Sequence, residues 1–381
     1  MPRIYFDNAA TTPLSPIVLQ AMLPHYTENY GNPSSIHADG RRARTAIEQA
    51  RKTVANYLNA SVGELFFTSG GSEGNNMAIK NAVRDLGVKQ IITTKIEHHC
   101  VLHAVEAVVR DTGITATYLR VNEVGQIDLS ELEACLLQAK NSQIPVLVSL
   151  MHANNEIGVI YNLFKISELC QKYTAYFHTD TVQTFGKYPI DLQKIKVHFL
   201  TASAHKFHGP KGVGIIYINS DIRVKPYIDG GAQERNMRGG TENVAGIVGF
   251  ATALTEAIEA MDLRKNYIQD LKNYFVAALR QNFNDIEFNG AIETSESAYH
   301  IISLSFPPSM RADMLIFNLD VAGISASGGS ACSSGVENAS HVMAATRSDS
   351  DRRTVRFSLA HYNTPQEIDI LIRKLKEIIG V

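Results

Sequence analysis

The chain has 381 residues, 45% hydrophobic and 19% charged, with a formal net charge of −2, which fits a globular protein of about two domains with a large core. That balance excludes the electrostatic footprint of a nucleic-acid binder or a protein drawn to anionic membranes, and apolar runs such as "IPVLVSLM" (144–151) are strand-sized, too short to span a bilayer. The opening "MPRIYFDNAATTP" has no secretory pattern, and cysteines at 100, 135, 170 and 332 form no CxxC pair, so a reducing, cytoplasmic setting is expected, with no disulfide framework and no metal site.

In chain order, "RRARTAIEQARKTVANYLN" places Ala43, Ile47, Ala50, Val54 and Leu58 at helical spacing. Seven short apolar runs follow, "ELFFTS", "KQIITT", "ATYLRV", "IPVLVSL", "AYFHTD", "VHFLTAS" and "GVGIIYI", each succeeded by a polar turn or helix. Strands alternating with helices predict an α/β unit on a largely parallel sheet, with chemistry at the carboxyl ends of the strands. Residues 243–282 read as one helical stretch broken near Asp262, leading into a second unit over 283–381 of pattern β-β-α-loop-β-α. Its last helix opens on the capping box Thr364-Pro365-Gln366-Glu367, with Ile368, Leu371, Leu375 and Ile378 as its buried stripe.

Four stretches carry chemistry. "FFTSGGSEGNNMAIKNAV" is a strand, a Gly-rich turn and a helix, whose amides at Gly71, Ser72 and Glu73 make an anion site or simply a capped turn. It is neither a P-loop nor GxGxxG, so an ordinary dinucleotide site is unsupported. "TTKIEHHCVL" sets His98 after the next strand, to stack on a ring and move protons or to serve as a core hydrogen-bonder. "YFHTDTVQTFGK" ends a strand in Asp180, with Gln183 three residues on; such a carboxylate needs a partner, be it a ligand, a salt bridge or a cap. "VHFLTASAHKFHGPKGVGIIY" sets Ser203, His205 and Lys206 between apolar runs, where a desolvated lysine is a Schiff-base amine and a solvated one is an ordinary loop residue. A phosphate cradle, a strand-end carboxylate and a desolvated lysine together are what pyridoxal 5′-phosphate requires. Lastly, "SASGGSACSSG" (325–335) surrounds Cys332 with Gly, Ser and Ala, a loose segment suited to a thiol that travels. Cys135 and Cys170 read as core fillers, and Cys100 as a packing residue near the site.

With these residues in hand, the chain resembles the class I cysteine desulfurases of the aminotransferase class V group. The resemblance rests on "YFDNAATTP", "GNPSSIH", "FTSGGSEGNN", "MHANNEIG", "HTDTVQ", "SAHKFHGPKGVG", "RGGTEN", "GSACSSG" and "VRFSL". It implies fold type I of the pyridoxal-phosphate enzymes: a large domain (13–260) with a mostly parallel seven-stranded sheet, and a small α+β domain (1–12 and 261–381) carrying the cysteine loop at about 325–340. It also implies roles. Lys206 would hold the cofactor, Asp180 its pyridine nitrogen and Gln183 its phenolic oxygen, with His98 as the stacking acid/base. Ser72, Ser203 and His205 would hold the phosphate, and Thr241 would reach it from the other subunit of a homodimer. Asn155 and Arg356 would hold the substrate carboxylate, a role for which guanidinium geometry is apt. Cys332 would take sulfur from L-cysteine as a persulfide and pass it to an acceptor protein. A selenocysteine lyase or another β-lyase on this scaffold is the neighbouring reading, and a catalytically silent partner-binding homologue a further one. After the loop, "VENA" and "AATRSDSDRR" depart from the family pattern, which bears on the sulfur acceptor rather than on catalysis.

Overall fold

The computed structural model describes residues 3–328, 340–347 and 351–380. All seven apolar runs form strands of one sheet: β1 Leu65–Thr68, β2 Gln90–Thr94, β3 Thr115–Leu119, β4 Val146–Ser149, β5 Tyr176–Asp180, β6 Phe199–Ser203 and β7 Gly214–Ile218, in the order β1-β7-β6-β5-β4-β2-β3. β2 to β6 pair in parallel with their neighbours, and β7 alone runs against both β6 and β1. β1, β4, β6 and β7 are buried at every residue. Helices on both faces explain that, and explain why these runs are continuously apolar rather than alternating.

The helix α1 (Ala38–Leu58) buries Ala43, Ile47, Ala50, Val54 and Leu58, and α2 (Gly71–Asp85) and α3 (His99–Thr112) follow β1 and β2. The stretch read as one broken helix is α4 (Val244–Glu259) and α5 (Met261–Asn282), meeting at 71°. The break is at Ala260, which caps both, two residues before the expected Asp262. Among the described residues no single helix is long and apolar enough to cross a membrane.

A smaller antiparallel sheet, in spatial order β10-β9-β8, consists of β8 Glu287–Asn289, β9 Ile301–Phe306 and β10 Arg353–Ser358. The final helix, α6 (Pro365–Ile379), starts on the expected capping box. Phe275, Leu304, Phe357 and Leu371 form a core here, and Ile4 and Phe6 join it from the start of the chain. Ile4–Tyr5 pairs in parallel with Ile324–Ser325, so the N-terminus is anchored in this second core before it crosses to the main sheet.

Candidate active site

The carboxyl ends of β1, β2, β5 and β6 open on one cavity of about 370 Å³. Gly71, Ser72, His98, Asn155, Asp180, Gln183, Ser203, His205, Lys206 and Arg356 all line it, though they come from six separate stretches of sequence. Thr241 does not; it stands exposed just before α4. Cys332 lies outside the described residues.

Local structure places each group. Gly70 caps α2 at φ +151, and an added Cβ on Gly214 would sit 2.7 Å from the Gly70 Cα. The turn and β7 therefore touch backbone to backbone, and α2 aims its free amides into the cavity. Asp180 ends β5 and is 7% exposed. Its carboxylate accepts from the Asn75 side-chain amide at 2.6 Å and from the Val182 amide at 2.8 Å. His98 is the N-cap of α3, its Nδ1 accepting the Cys100 amide at 3.1 Å. Burial lowers its pKa, with Asp180 opposing and Lys206 assisting, so the ring is neutral at pH 7 and carries its proton on Nε2.

Lys206 closes a short 3₁₀ turn after β6. Its ammonium donates to the carbonyls of Ala9 and Ala10 at 2.6 and 2.8 Å. Thr12 donates its amide and hydroxyl to the His205 carbonyl at 2.9 and 3.0 Å and accepts the His208 amide at 2.7 Å. The stretch "DNAATTP" is thereby stitched along the lysine turn. Gln183 donates to the Ala9 carbonyl as well, at 2.9 Å.

Arg356, on β10, is 1% exposed. One terminal nitrogen pairs with Asp7 at 2.6 Å and the other donates to the Asn155 carbonyl at 2.8 Å. The described segments that flank Cys332 sit beside it: Ser327 bridges to Arg356 and donates to Asp7 at 2.8 Å, and Ser340 donates to the buried Glu156. The other thiols are poor nucleophiles. Burial pushes Cys100 up to about 12, aided by Asp180, and raises Cys135 and Cys170 as well.

Three groups were not singled out from the sequence. Asn75 is fully buried and holds Asp180; it lies inside "SEGNN", where a polar residue early in a helix reads as surface. Glu97 is fully buried before His98 and accepts the Met151 amide. Burial pushes its carboxyl to about 8 against the pull of that bond, so it sits there protonated. Ala9 and Ala10 contribute only carbonyls, which no residue-type pattern reveals.

The aminotransferase class-V family profile matches residues 4–371. A cysteine desulfurase IscS of Dictyoglomus turgidum is 41% identical, over 99% of this chain and 94% of that protein. A putative cysteine desulfurase IscS 1 of Bacillus subtilis is 40% identical, over 100% and 99%. Among solved structures, a NifS-like protein superposes with a TM-score of 0.89 at 36% identity, covering 99% of both chains. SspA in complex with cysteine superposes at 0.79 and 30%, covering 95% of this chain and 100% of that one.

Proposed function

The chain belongs to the aminotransferase class-V family, and on that premise we propose that it is a pyridoxal-phosphate-dependent cysteine desulfurase that takes sulfur from L-cysteine onto Cys332 and leaves L-alanine. The observation that carries the reading is the meeting of Asp180, Lys206 and Arg356 at one cavity. The residues fit cofactor and substrate on a second count. Gln183 Oε1 and Arg356 Nε are buried at this cavity with no partner among the described residues, and such atoms are costly unless a ligand satisfies them.

Lys206, Asp180, Gln183 and His98 would hold the ring of pyridoxal 5′-phosphate, and Gly71, Ser72, Ser203, His205 and Thr241 its phosphate. When bound, this group supplies an electron sink next to the substrate's amino carbon. Asp180 would keep a proton on the ring nitrogen. His98, neutral and half-buried, would hold and move a proton at Nε2, since its Nδ1 is taken by the Cys100 amide. Arg356 would pair with the substrate carboxylate beside Asn155, its unpartnered Nε–H being the donor in place. Cys332, as thiolate, would attack the substrate sulfur: the new S–S bond forms as the Cβ–S bond breaks. Cysteine plus the enzyme thiol gives alanine plus the enzyme persulfide. An acceptor protein would then draw off that sulfur for iron–sulfur cluster, thio-cofactor or tRNA synthesis. We place this chemistry in the cytoplasm and in a homodimer whose sites are shared through Thr241, a residue exposed and away from the cavity of its own chain.

The test is mass spectrometry of the purified protein after brief exposure to L-cysteine, with alanine assayed in the same tube. A one-sulfur adduct on the Cys332 peptide with matching alanine is expected. Cys332→Ser should retain the cofactor and bind cysteine yet form neither persulfide nor sulfide, and undiminished sulfide release from that variant would overturn the assignment of the thiol.

A further inference from the structure

A second cavity, of about 40 Å³, adjoins the first in sequence: Lys187 on its wall is four residues past Gln183, and His208 two past Lys206. Its basic side chains meet no acid on the wall, but burial lowers the pKa values of His208, His300 and His361 and leaves them neutral, so the positive charge rests on Arg264 and Lys187. Lys187, His208, Arg264, His300 and His361 line it, and no Asp or Glu does. The carboxylate that acts here, Glu256, faces His361 from outside the lining.

The polar groups of this wall are short of partners. His300 is 1% exposed, and neither of its ring nitrogens has a partner among the described residues. No hydrogen bond or ion pair ties the Arg264 guanidinium to any described residue. Lys187 donates to the Gln183 carbonyl at 3.1 Å, which leaves two of its protons for other acceptors. His208 donates its Nδ1–H to the Pro13 carbonyl at 3.0 Å, so its Nε2 is a lone pair and no anion ligand, and its ring lies 4.8 Å from that of His361. His208 also sits at φ +68, a conformation a histidine adopts at some cost and that the surrounding bonds must enforce.

We propose that this cavity binds a small monovalent inorganic anion of halide size, chloride by size and charge. A water molecule could satisfy the orphaned imidazole, but it brings no counter-charge to the Arg264 guanidinium and the Lys187 amine, which meet no carboxylate on this wall. The space takes about three water-sized spheres, so a halide fits with water beside it. Burial, assisted by Lys206, pushes Lys187 down to about 7, and an anion beside it holds its proton on. The ligands Lys187, Arg264, His300 and His361 come from four separate places: the segment after β5, α5, the approach to β9 and the turn after β10. The ion therefore clamps the C-terminal core to the segment that carries Gln183.

The test uses the holoenzyme dialysed into gluconate, with chloride added at constant ionic strength. The melting temperature should rise saturably with chloride. Arg264→Gln, at a half-buried position, should weaken that response about tenfold, the loss of one charge-assisted contact. In bromide-soaked crystals of the unaltered holoenzyme an anomalous peak should lie between His300 and Arg264. Identical melting in chloride and gluconate, a map with water only, or a bromide peak without any solution response would each overturn the proposal. The map needs no variant, so it decides the matter even if Arg264→Gln fails to fold.

Discussion

Asn75 governs more of the site than its place inside a helix suggests. Its amide donates to Asp180 at 2.6 Å and contacts the Cys100 sulfur at 3.2 Å. Its oxygen accepts from Thr201 and faces His178 Nε2 at 3.1 Å, and His178 in turn meets Ser149 at 2.8 Å. One side chain thus links α2 to β5 and β6, with β4 behind, and fixes the rotamer of the carboxylate proposed to face the cofactor nitrogen. Asn75→Ala would leave Asp180 a single backbone donor and two buried groups short of partners. We expect a stability loss of about 2 kcal/mol, and a cofactor affinity about tenfold lower in titrations of the stripped protein. Wild-type affinity in this variant would show that Asp180 is positioned without it. The reactive residues were legible because α/β sheets gather chemistry at strand ends, and Asp180, Ser203 and Lys206 stand there by sequence alone. Asn75 was not, since its importance lies in four partners distant in sequence, and the Ala9 and Ala10 carbonyls have no residue-type signature at all.

At the scale of elements, the cradle depends on how closely the Gly70 turn lies on β7. A methyl at Gly214 would fall 2.5 Å from the Ala202 carbonyl oxygen and 2.7 Å from the Gly70 Cα, and backbone atoms cannot rotate aside as a side chain does. Gly214→Ala should therefore push the turn outward and lift the start of α2 from the cavity, at an overpacking cost of about 1–3 kcal/mol. The expected reading is cofactor affinity reduced about tenfold or more with the far-ultraviolet circular dichroism unchanged. Unaltered affinity would mean the turn has slack that the contacts deny. The seven strands were readable because each is short, buried on both faces and bounded by turn residues. The single helix expected between the strand pair and the cysteine loop of the second unit is two, Met310–Asp313 and Leu315–Val321, divided at Met314. The pairing of Ile4–Tyr5 with Ile324–Ser325 escapes any periodicity argument, because two residues cannot display a period.

At the scale of the molecule, a single chain leaves two observations that a second copy would join. Thr241 is exposed and lines no part of its own cavity. The N-terminal segment leaves Leu23 49%, Tyr26 60%, Tyr30 77% and Ile36 89% exposed, and its helix Pro16–Met22 packs on α4, which begins three residues after Thr241. Exposed apolar residues on a segment packed against the helix that follows Thr241 are what the proposed two-fold interface needs, each copy lending its Thr241 to the other. The proposed sharing is testable by complementation. Lys206→Ala and Thr241→Val should each be nearly inactive as pure dimers. After unfolding and refolding together, half the dimers are mixed, and each mixed dimer has one site with a native Lys206 from one chain and a native Thr241 from the other. Activity should then recover to about a quarter of the wild-type level. If Thr241 instead serves its own chain, every site in a mixed dimer lacks one group or the other, and co-refolding restores nothing.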